Sequence, residues 1–359
     1  MVGMANKTFK RIGVLTSGGD APGMNAAVRA VVRSAVFKGI EVMGIYEGYK
    51  GLIENDMKLL SSRDVSNIIN HGGTILFSNR CDKFKTPEGL QIAVENCRKN
   101  GIDGIVCIGG DGTFRGATDL SRLGIPCIGI PGTIDNDISA TDYTIGYDTA
   151  KNTVIEMVDR LRDTCESHDR CNVVEVMGRN AGYIAVECGI ATGAIAVAIK
   201  EIPFDKEEFI DRMQKLTKLG KRNFIVIASE GMGGDFTENL TKEIQERTGI
   251  ESKFARLAHV QRGGCPTCTD RVIATLMGKK AVDLLTEGKY NLVVCYNNGK
   301  ICDVEMEYAF MLDKIVKGKA TDEEIASLAP DVREKMMLDA ENIKEHMNSL
   351  YEIAHIMAR

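Results

Sequence analysis

The 359-residue sequence contains no tryptophan, only 7 prolines and few aromatic residues, 6% of the total. Its net charge is −5, so lysine and arginine are not in excess. The sequence therefore lacks the basic stripe and the stacking side chains of nucleic-acid-binding proteins, and we expect no nucleic-acid partner. The scarcity of proline, together with 44% hydrophobic residues, excludes a disordered chain and favours a packed interior.

Signals for export or membrane insertion are also lacking. The first eleven residues contain no apolar stretch of the kind that a secretory signal needs. Residues 181–199 are apolar, but Glu187 and several glycines interrupt them, which favours a buried helix followed by a buried strand over a membrane span. The 11 cysteines are an odd number scattered along the chain, as is typical of reduced thiols. We expect a cytoplasmic protein with no membrane partner.

Short runs of β-branched residues recur along the chain, each followed by a glycine-rich turn or polar segment and then a helix-length segment. Most runs lack apolar/polar alternation, which is typical of parallel strands buried on both faces. The chain is also longer than one hydrophobic core usually supports. The sequence therefore predicts an α/β protein with doubly wound parallel sheets in two domains. The predicted strands cover residues 12–15, 42–46, 104–108, 125–130, 173–176, 194–199, 224–228 and 292–296.

No proline- or serine-rich linker marks a domain boundary, so we divide the chain by the position of its motifs. One domain is predicted at residues 1–145 plus 260–310, and the other at 146–259 plus 311–359. Near the end of the chain, Thr321 and Glu324 form a capping-box pattern. Apolar residues then recur at roughly helical spacing, which predicts a C-terminal helix packed on its own domain rather than on a partner protein. These residues are Val332, Met336, Ile343, Met347, Leu350 and Met357.

Two glycine-rich loops follow predicted strands, at the sheet edge where α/β proteins bind ligands. Residues 109–113 (Gly-Gly-Asp-Gly-Thr) precede a helix whose N-terminal amides suit an anion. Asp111 would repel a phosphate directly, but it suits a Mg²⁺ that bridges phosphate oxygens. Residues 17–25 (Ser-Gly-Gly-Asp-Ala-Pro-Gly-Met-Asn) form a second phosphate-sized loop, which is neither a Walker A motif nor a dinucleotide fingerprint. A nicotinamide-dependent dehydrogenase is therefore disfavoured.

A third loop, residues 131–137 (Pro-Gly-Thr-Ile-Asp-Asn-Asp), places Asp135 and Asp137 two positions apart. In an extended segment, such residues point to the same side. One carboxylate suits the removal of a proton from a substrate hydroxyl, and the other suits its orientation or an approach to the metal. A tight turn without catalytic function is the alternative for this loop and for residues 109–113.

These loops, with residues 177–179 (Met-Gly-Arg) and 259–264 (His-Val-Gln-Arg-Gly-Gly), stand in the order and approximate spacing of a known family. From Arg11 to about Val304 the chain resembles the ATP-dependent 6-phosphofructokinases of bacterial type. The resemblance implies transfer of the γ-phosphoryl group of ATP to the 1-hydroxyl of fructose 6-phosphate, the committing step of glycolysis. It also implies Mg²⁺, Rossmann-like domains with the active site in the cleft between an ATP-binding and a sugar-phosphate-binding domain, and a homotetramer.

The resemblance also implies a role for each matching residue. Asp135 matches the general base, Asp111 the Mg²⁺-linked aspartate and Arg80 the arginine that stabilises the transferring group; Thr133, Asp137 and Arg179 complete the expected catalytic set. The expected nucleotide-binding residues are Gly19, Tyr49, Arg80, Cys81, Gly110, Asp111, Gly112 and Thr113. The expected sugar-phosphate ligands are Thr133, Ile134, Asp135, Arg170 from a neighbouring subunit, Met177, Gly178, Arg179, Glu230, Lys253, His259, Val260, Gln261 and Arg262.

The sequence departs from the family pattern at two places. Lys253 stands where the family commonly has an arginine, so the charge is kept and the bidentate fork is lost. In the effector pocket, a glutamate, a lysine and a histidine of the family are replaced by Ile195, Leu219 and Asn223. We therefore expect the usual effector regulation to be weak, with a different anion or no ligand in the pocket. The matching cations are Arg29, Arg33, Arg162, Lys221 and Arg222.

Three other functions compete with this hypothesis. A pyrophosphate-dependent relative would have an aspartate at Gly112 and a lysine at Gly132, so both glycines favour ATP. A kinase of another family would leave most of the motifs unexplained, and a catalytically silent sensor subunit would not need Asp111, Asp135 and Arg80. Zinc binding by Cys265 and Cys268 lacks a second cysteine pair at finger-like spacing.

Overall fold

The computed structural model of the chain describes residues 9–358. These residues form two compact units, the first made of residues 9–134, 138–148 and 262–340, and the second of residues 135–137, 149–261 and 341–358. The domain boundary predicted after residue 145 lies after residue 148 in the structure. The boundary predicted after residue 259 lies after residue 261. Residues 311–340 belong to the first unit, whereas the prediction placed them in the second.

Strands alternate with helices along most of the described chain. The strands are β1 (Arg11–Ser17), β2 (Glu41–Ile45), β3 (Met57–Leu60), β4 (Gly104–Gly109), β5 (Cys127–Pro131), β6 (Cys171–Val176), β7 (Ala196–Ala198), β8 (Phe224–Ser229), β9 (Ser252–Arg256), β10 (Leu292–Asn297) and β11 (Lys300–Glu305). The helices are α1 (Met24–Phe37), α2 (Tyr49–Glu54), α3 (Pro87–Lys99), α4 (Asp111–Arg122), α5 (Tyr147–His168), α6 (Tyr183–Thr192), α7 (Lys206–Lys218), α8 (Phe236–Thr248), α9 (Cys268–Thr286), α10 (Met306–Val316), α11 (Asp322–Ala326) and α12 (Pro330–Met357).

The first unit contains a seven-stranded sheet in the order β11-β10-β5-β4-β1-β2-β3. Its five inner strands are parallel, which confirms the predicted α/β class. The edge strands β3 and β11 pair antiparallel with their neighbours, which the sequence did not predict. On one face, α1 packs closely on α9 because Gly278 has no side chain: a Cβ there would lie 2.6 Å from the Ala30 Cβ.

The second unit contains a four-stranded parallel sheet in the order β7-β8-β6-β9. All residues of β6 and β8 are buried, which explains why their sequences show no alternation. Phe209 and Met213 of α7 pack with Phe224 and Val226 of β8 in the core of this unit. Residues 181–199, predicted as a buried helix and a buried strand, form α6 and β7. No helix among residues 9–358 has the length and apolarity that a bilayer crossing requires.

The capping box and the C-terminal helix that the sequence predicts are both present. Thr321 and Glu324 form the capping box of α11, and α12 spans the predicted apolar stripe. Met336 and Met347 are buried, but Met357 is 65% exposed, so its inclusion in the packed face was wrong. Residues before 341 lie in the first unit because α10 and α12 are joined there: Tyr308 of α10 donates a 2.6 Å hydrogen bond to Asp339.

Candidate active site

The loop between β1 and α1 is covered by an arginine that is distant in the sequence but belongs to the same unit. Gly18 and Gly23 adopt positive φ values of 88° and 108°, which only glycine takes without strain. A Cβ on Gly19 would lie 2.3 Å from Nη1 of Arg262, and this nitrogen donates to the carbonyl of Asp20 at 3.3 Å. Arg262, predicted as a sugar-phosphate ligand, therefore contributes its charge to the first phosphate-sized loop.

The β4–α4 loop lies directly beside the β1–α1 loop, because β1 and β4 are neighbouring parallel strands in which Ser17 pairs with Gly109. Thr113 donates a 3.1 Å hydrogen bond to the carbonyl of Ser17. A Cβ on Gly109 would lie 2.3 Å from the same carbonyl oxygen, so glycine is required for this approach. No side chain caps the N-terminus of α4 at Gly110, and the amide of Thr113 donates to the carbonyl of Gly110 at 2.9 Å. The amides that suit an anion here are therefore those of Asp111 and Gly112.

Asp111 lies in the first turn of α4, and its side chain is 32% exposed. Its carboxylate pairs with Nη2 of Arg115 at 2.8 Å, but Arg115 is well exposed, so solvent screens the pair. Within residues 9–358, no group of three His, Cys, Asp or Glu side chains could hold a metal ion. A single accessible carboxylate still fits Mg²⁺, because this ion usually keeps several waters and takes its remaining ligands from substrate phosphates.

Tyr49 supports the β4–α4 loop from the interior. Its hydroxyl donates to the carbonyl of Thr113, and its ring stacks on Phe84 with 4.1 Å between centroids. Burial raises the pKa of Tyr49 well above its usual value. Tyr49, which stays a predicted neighbour of the nucleotide, therefore also holds this loop from the interior, while Cys81 is half-buried.

Arg80 is exposed at the end of a segment that is fastened to the β1–α1 loop. The side chain of Asn25 accepts from the amide of Ile75 at 2.8 Å and donates to the carbonyl of His71. Thr16 donates to the carbonyl of Phe77 at 2.8 Å. Sequence reasoning identified Asn25 only as part of a motif and missed Thr16, because its role depends on a segment about sixty residues away.

The segment after β5 alternates in burial but is not extended. Ile134 and Asn136 are buried, whereas Thr133, Asp135 and Asp137 are half-buried. Ile134 and Asp135 form a turn, and Asn136 has a φ of 50°, a left-handed conformation that asparagine tolerates better than most residues. The extended geometry from which we expected Asp135 and Asp137 to point to the same side is therefore not present. Thr133 is held by Thr144, whose hydroxyl donates to its carbonyl at 2.6 Å.

In the second unit, Ser229 joins the loops that follow β6 and β8. Its hydroxyl donates to the carbonyl of Gly178 at 2.6 Å and accepts from the amide of Gly231 at 3.1 Å. The two predicted sugar-ligand segments, at Gly178 and at Glu230, are therefore brought together, and Arg179 is exposed beside them. Sequence reasoning missed Ser229, because nothing in its local pattern separates it from an ordinary strand-end serine.

Gln261 fastens the turn that carries His259. Its side chain is fully buried; Oε1 accepts from the amide of Met177 at 3.3 Å, and Nε2 donates to the carbonyl of Ala258 at 3.0 Å. His259 and Val260 are exposed in the same turn. Gln261, predicted as a substrate ligand, therefore has an internal role that orients His259 relative to the β6 loop.

Arg170 and Lys253 are brought to one carboxylate. They lie near the starts of β6 and β9, which are adjacent parallel strands. Glu251 pairs with Nε of Arg170 at 2.7 Å and with Nζ of Lys253 at 2.9 Å. The hydrogen bond from Arg170, followed by that from Lys253, lowers the pKa of the Glu251 carboxyl to about 2. The sequence predicted both cations as phosphate ligands but did not identify the glutamate that holds them.

Comparison with known proteins decides the family. A profile described as Phosphofructokinase matches residues 11–285 of the chain, which is more than half of its length. The chain belongs to the phosphofructokinase family. It is 52% identical over 293 residues to an ATP-dependent 6-phosphofructokinase of Halalkalibacterium halodurans, covering 82% of this chain and 91% of that protein. It is 48% identical over 320 residues to that of Halothermothrix orenii, covering 86% of this chain and 96% of the relative.

A solved phosphofructokinase structure has the same fold. The structure from Saccharomyces cerevisiae superimposes with a TM-score of 0.81 at 34% identity and covers 91% of this chain. The match covers 50% of the yeast chain, so the present chain spans half of that protein's length. The fold expected from the resemblance to phosphofructokinases is therefore confirmed.

Three of the five cations that match the effector site of the phosphofructokinase family contact groups of this chain. Arg162 donates to the carbonyl of Thr192, Arg222 pairs with Asp169, and Lys221 lies 5.9 Å from the centre of the Phe224 ring. Ile195 is buried in the core of the second unit, so it offers no metal ligand.

Proposed function

We propose that this chain is an ATP-dependent 6-phosphofructokinase, which phosphorylates fructose 6-phosphate at its 1-hydroxyl. The observation that carries this proposal is the identity of about one half with bacterial proteins of that name, over 91% and 96% of their lengths. The test is ³¹P NMR of a reaction with ATP and fructose 6-phosphate. A new resonance of fructose 1,6-bisphosphate, formed in step with ADP, is expected; phosphorylation at another hydroxyl, or none, would contradict the proposal.

The glycine at position 112 supports ATP over pyrophosphate as the phosphoryl donor. A Cβ at this position would meet no atom within 4 Å, so packing does not require glycine here, and its retention keeps a carboxylate away from the phosphates of ATP. Gly132 is also retained, and a Cβ there would lie 3.0 Å from the end of Met24. A lysine at Gly132 would therefore have to displace the Met24 side chain.

The phosphate side of the reaction depends mainly on positioning and charge. The amides at the start of α4 hold the phosphates of ATP, and Arg80 stabilises charge on the group in transfer. Arg262, beside the β1–α1 loop, remains a ligand of the sugar phosphate in this proposal. Asp111 would hold Mg²⁺, which when bound neutralises phosphate charge. The fixed loops reduce the reorganisation that the reaction requires, since their groups are already hydrogen-bonded in place.

On the sugar side, Asp135 removes the proton from the 1-hydroxyl while the hydroxyl oxygen forms a bond to the γ-phosphorus of ATP. The bond from that phosphorus to the bridging oxygen breaks, ADP leaves, and the proton stays on Asp135 until solvent takes it. Thr133, Asp137 and Arg179 orient the hydroxyl and the phosphoryl group. Arg170, Lys253 and His259 bind the 6-phosphate, with Glu230 and the loop at Gly178 around the sugar.

The proposed assembly is a homotetramer in the cytoplasm, with Arg170 and Lys253 completing the active site of a neighbouring subunit. What supports this assignment is that the neighbouring strands β6 and β9 bring both cations to one carboxylate, Glu251, which the bound 6-phosphate would displace. Sedimentation velocity should give the mass of four chains at working concentration. A monomer with full activity would contradict the shared site.

Replacing Lys253 by glutamine should raise KM for fructose 6-phosphate about ten- to a hundredfold, with kcat within a few-fold, because a charge-assisted phosphate contact is worth roughly 1.5–3 kcal/mol. Lys253→Arg should keep or improve KM, since arginine adds the bidentate fork. Lys279→Gln, which removes an exposed lysine from α9, is the matched control. Steady-state kinetics at varied sugar phosphate tests this; equal KM values for Lys253→Gln and the control would remove Lys253 from the site.

Regulation by the usual effectors should be weak. Ile195 provides no carboxylate for an effector-bound metal, and Leu219 is 83% exposed where a cation is expected. Millimolar ADP or phosphoenolpyruvate should therefore shift the fructose 6-phosphate saturation curve little, because allostery requires different affinities for two states. Saturation curves with and without each compound test this. A large shift in half-saturation that Arg162→Ala abolishes would be the contrary result.

A further inference from the structure

A cavity of about 240 Å³ lies within the second unit, between the last turns of α12, the first half of α7 and the edge strand β7. Its volume is below the roughly 300–1,000 Å³ of drug-sized pockets, so it suits a small metabolite. The wall formed by α12 lies outside residues 11–285, the part of the chain that the family profile matches. The cavity is thus built in part from a segment that the family resemblance does not explain.

One wall of the cavity carries charges of both signs. The side chain of Arg212 is only 11% exposed, and its guanidinium lies 3.4 Å from Nδ1 of His355 and 3.8 Å from Glu208. Asp205 lies at the start of α7, where its carboxylate accepts from the amide of Glu208 at 3.0 Å. The cavity therefore presents a nearly buried cation and an imidazole together with two carboxylates.

The other residues that line the cavity are mostly apolar. The rings of Phe204 and Phe209 lie 5.5 Å apart, and Val197 and Ala354 also line it. The hydroxyl of Tyr351 donates to the carbonyl of Val197 at 3.1 Å, which fixes α12 against β7. The cavity is therefore enclosed by a helix that is hydrogen-bonded in place rather than by a loosely packed tail.

We propose that this cavity binds a free α-amino acid with an apolar side chain. Its carboxylate lies toward Arg212 and His355, its ammonium group toward Asp205 and Glu208, and its side chain on the two phenylalanine rings. Arg212 already contacts Glu208 and His355, and a zwitterion can join this network without adding net charge. A simple carboxylic acid would add a negative charge beside Asp205 and Glu208, and a simple amine would add a positive charge beside Arg212. Sugar phosphates and nucleotides bring further negative charge and no aliphatic or aromatic group for the apolar lining residues.

Isothermal titration of the full-length protein with L-phenylalanine and with L-leucine tests the proposal. We expect saturable binding of at least one of them. We also expect at least about tenfold weaker binding of 3-phenylpropionate and 2-phenylethylamine, which each lack one charged group. No saturable binding of either amino acid would overturn the proposal. Binding of 3-phenylpropionate as tight as that of L-phenylalanine would also overturn it, because the ammonium group would then have no role.

Two variants locate the site. Ala354→Leu fills the cavity without a change of charge, and Arg212→Gln removes the cation; both should weaken amino-acid binding about tenfold or more. Glu352→Leu adds the same side chain on the exposed side of α12 and should bind as the unchanged protein does. Circular dichroism checks folding. Unchanged binding by either folded cavity variant would overturn the proposal, and if both fail to fold, the analogue series on the unchanged protein still decides it.

Discussion

Asp135→Ala is expected to lower kcat by roughly 10²–10⁴ while KM for both substrates stays within a few-fold, because a general base acts mainly in the transition state. Asp135 is half-buried in a turn, between the buried Ile134 and Asn136. Removing its carboxylate therefore leaves the anchors of the segment in place. Steady-state kinetics with both substrates varied measures the effect.

Asp331→Ala removes an exposed carboxylate from the first turn of α12 and is the matched control for loss of a negative charge. It should leave kcat unchanged. Asp135→Asn separates the loss of the general base from a change in side-chain shape. The amide keeps the size of the side chain and cannot take up the proton. Near-normal turnover in either Asp135 variant would remove this residue from the mechanism.

Gly112→Asp is expected to lower kcat/KM for ATP by roughly 10²–10³, because a carboxylate near the nucleotide phosphates costs about 4 kcal/mol at an effective dielectric constant of about 20. The variant should fold normally, since a Cβ at this position meets no atom within 4 Å. Its effect is therefore electrostatic rather than steric. Kinetics at varied ATP, with thermal unfolding as the check on folding, measures it.

Gly112→Asn is the matched control, because asparagine has nearly the shape of aspartate without its charge. It should retain most of the ATP activity. If Gly112→Asp and Gly112→Asn behaved alike, the effect would come from volume, and the electrostatic argument for ATP over pyrophosphate would be lost.

The strands that the sequence predicted are those buried on both faces. Each of the eight predicted runs overlaps an observed strand, because a continuous apolar run is readable without knowledge of the neighbours. The three missed strands are β3, β9 and β11, and each contains exposed or half-exposed residues. Their sequences carry no apolar run, and their pairing comes from the sheet beside them.

The loops of the site could be predicted, but not the residues that hold them. The loops can be identified from the local sequence, because each contains glycine and aspartate and directly follows a predicted strand. The role of Glu251 depends on β6 and β9 being neighbours, which the sequence does not state. Likewise, the burial of Tyr49 and its hydrogen bond to the carbonyl of Thr113 depend on tertiary packing, which its local sequence does not state.

The central claim is that the chain transfers a phosphoryl group from ATP to fructose 6-phosphate. The most direct measurement is an enzyme-coupled assay of ADP formation with fructose 6-phosphate, run in parallel with an assay in which pyrophosphate replaces ATP. We predict sugar-dependent turnover with ATP and at least about a hundredfold lower kcat/KM with pyrophosphate. Turnover with pyrophosphate alone, or sugar and nucleotide binding without turnover, would contradict the account.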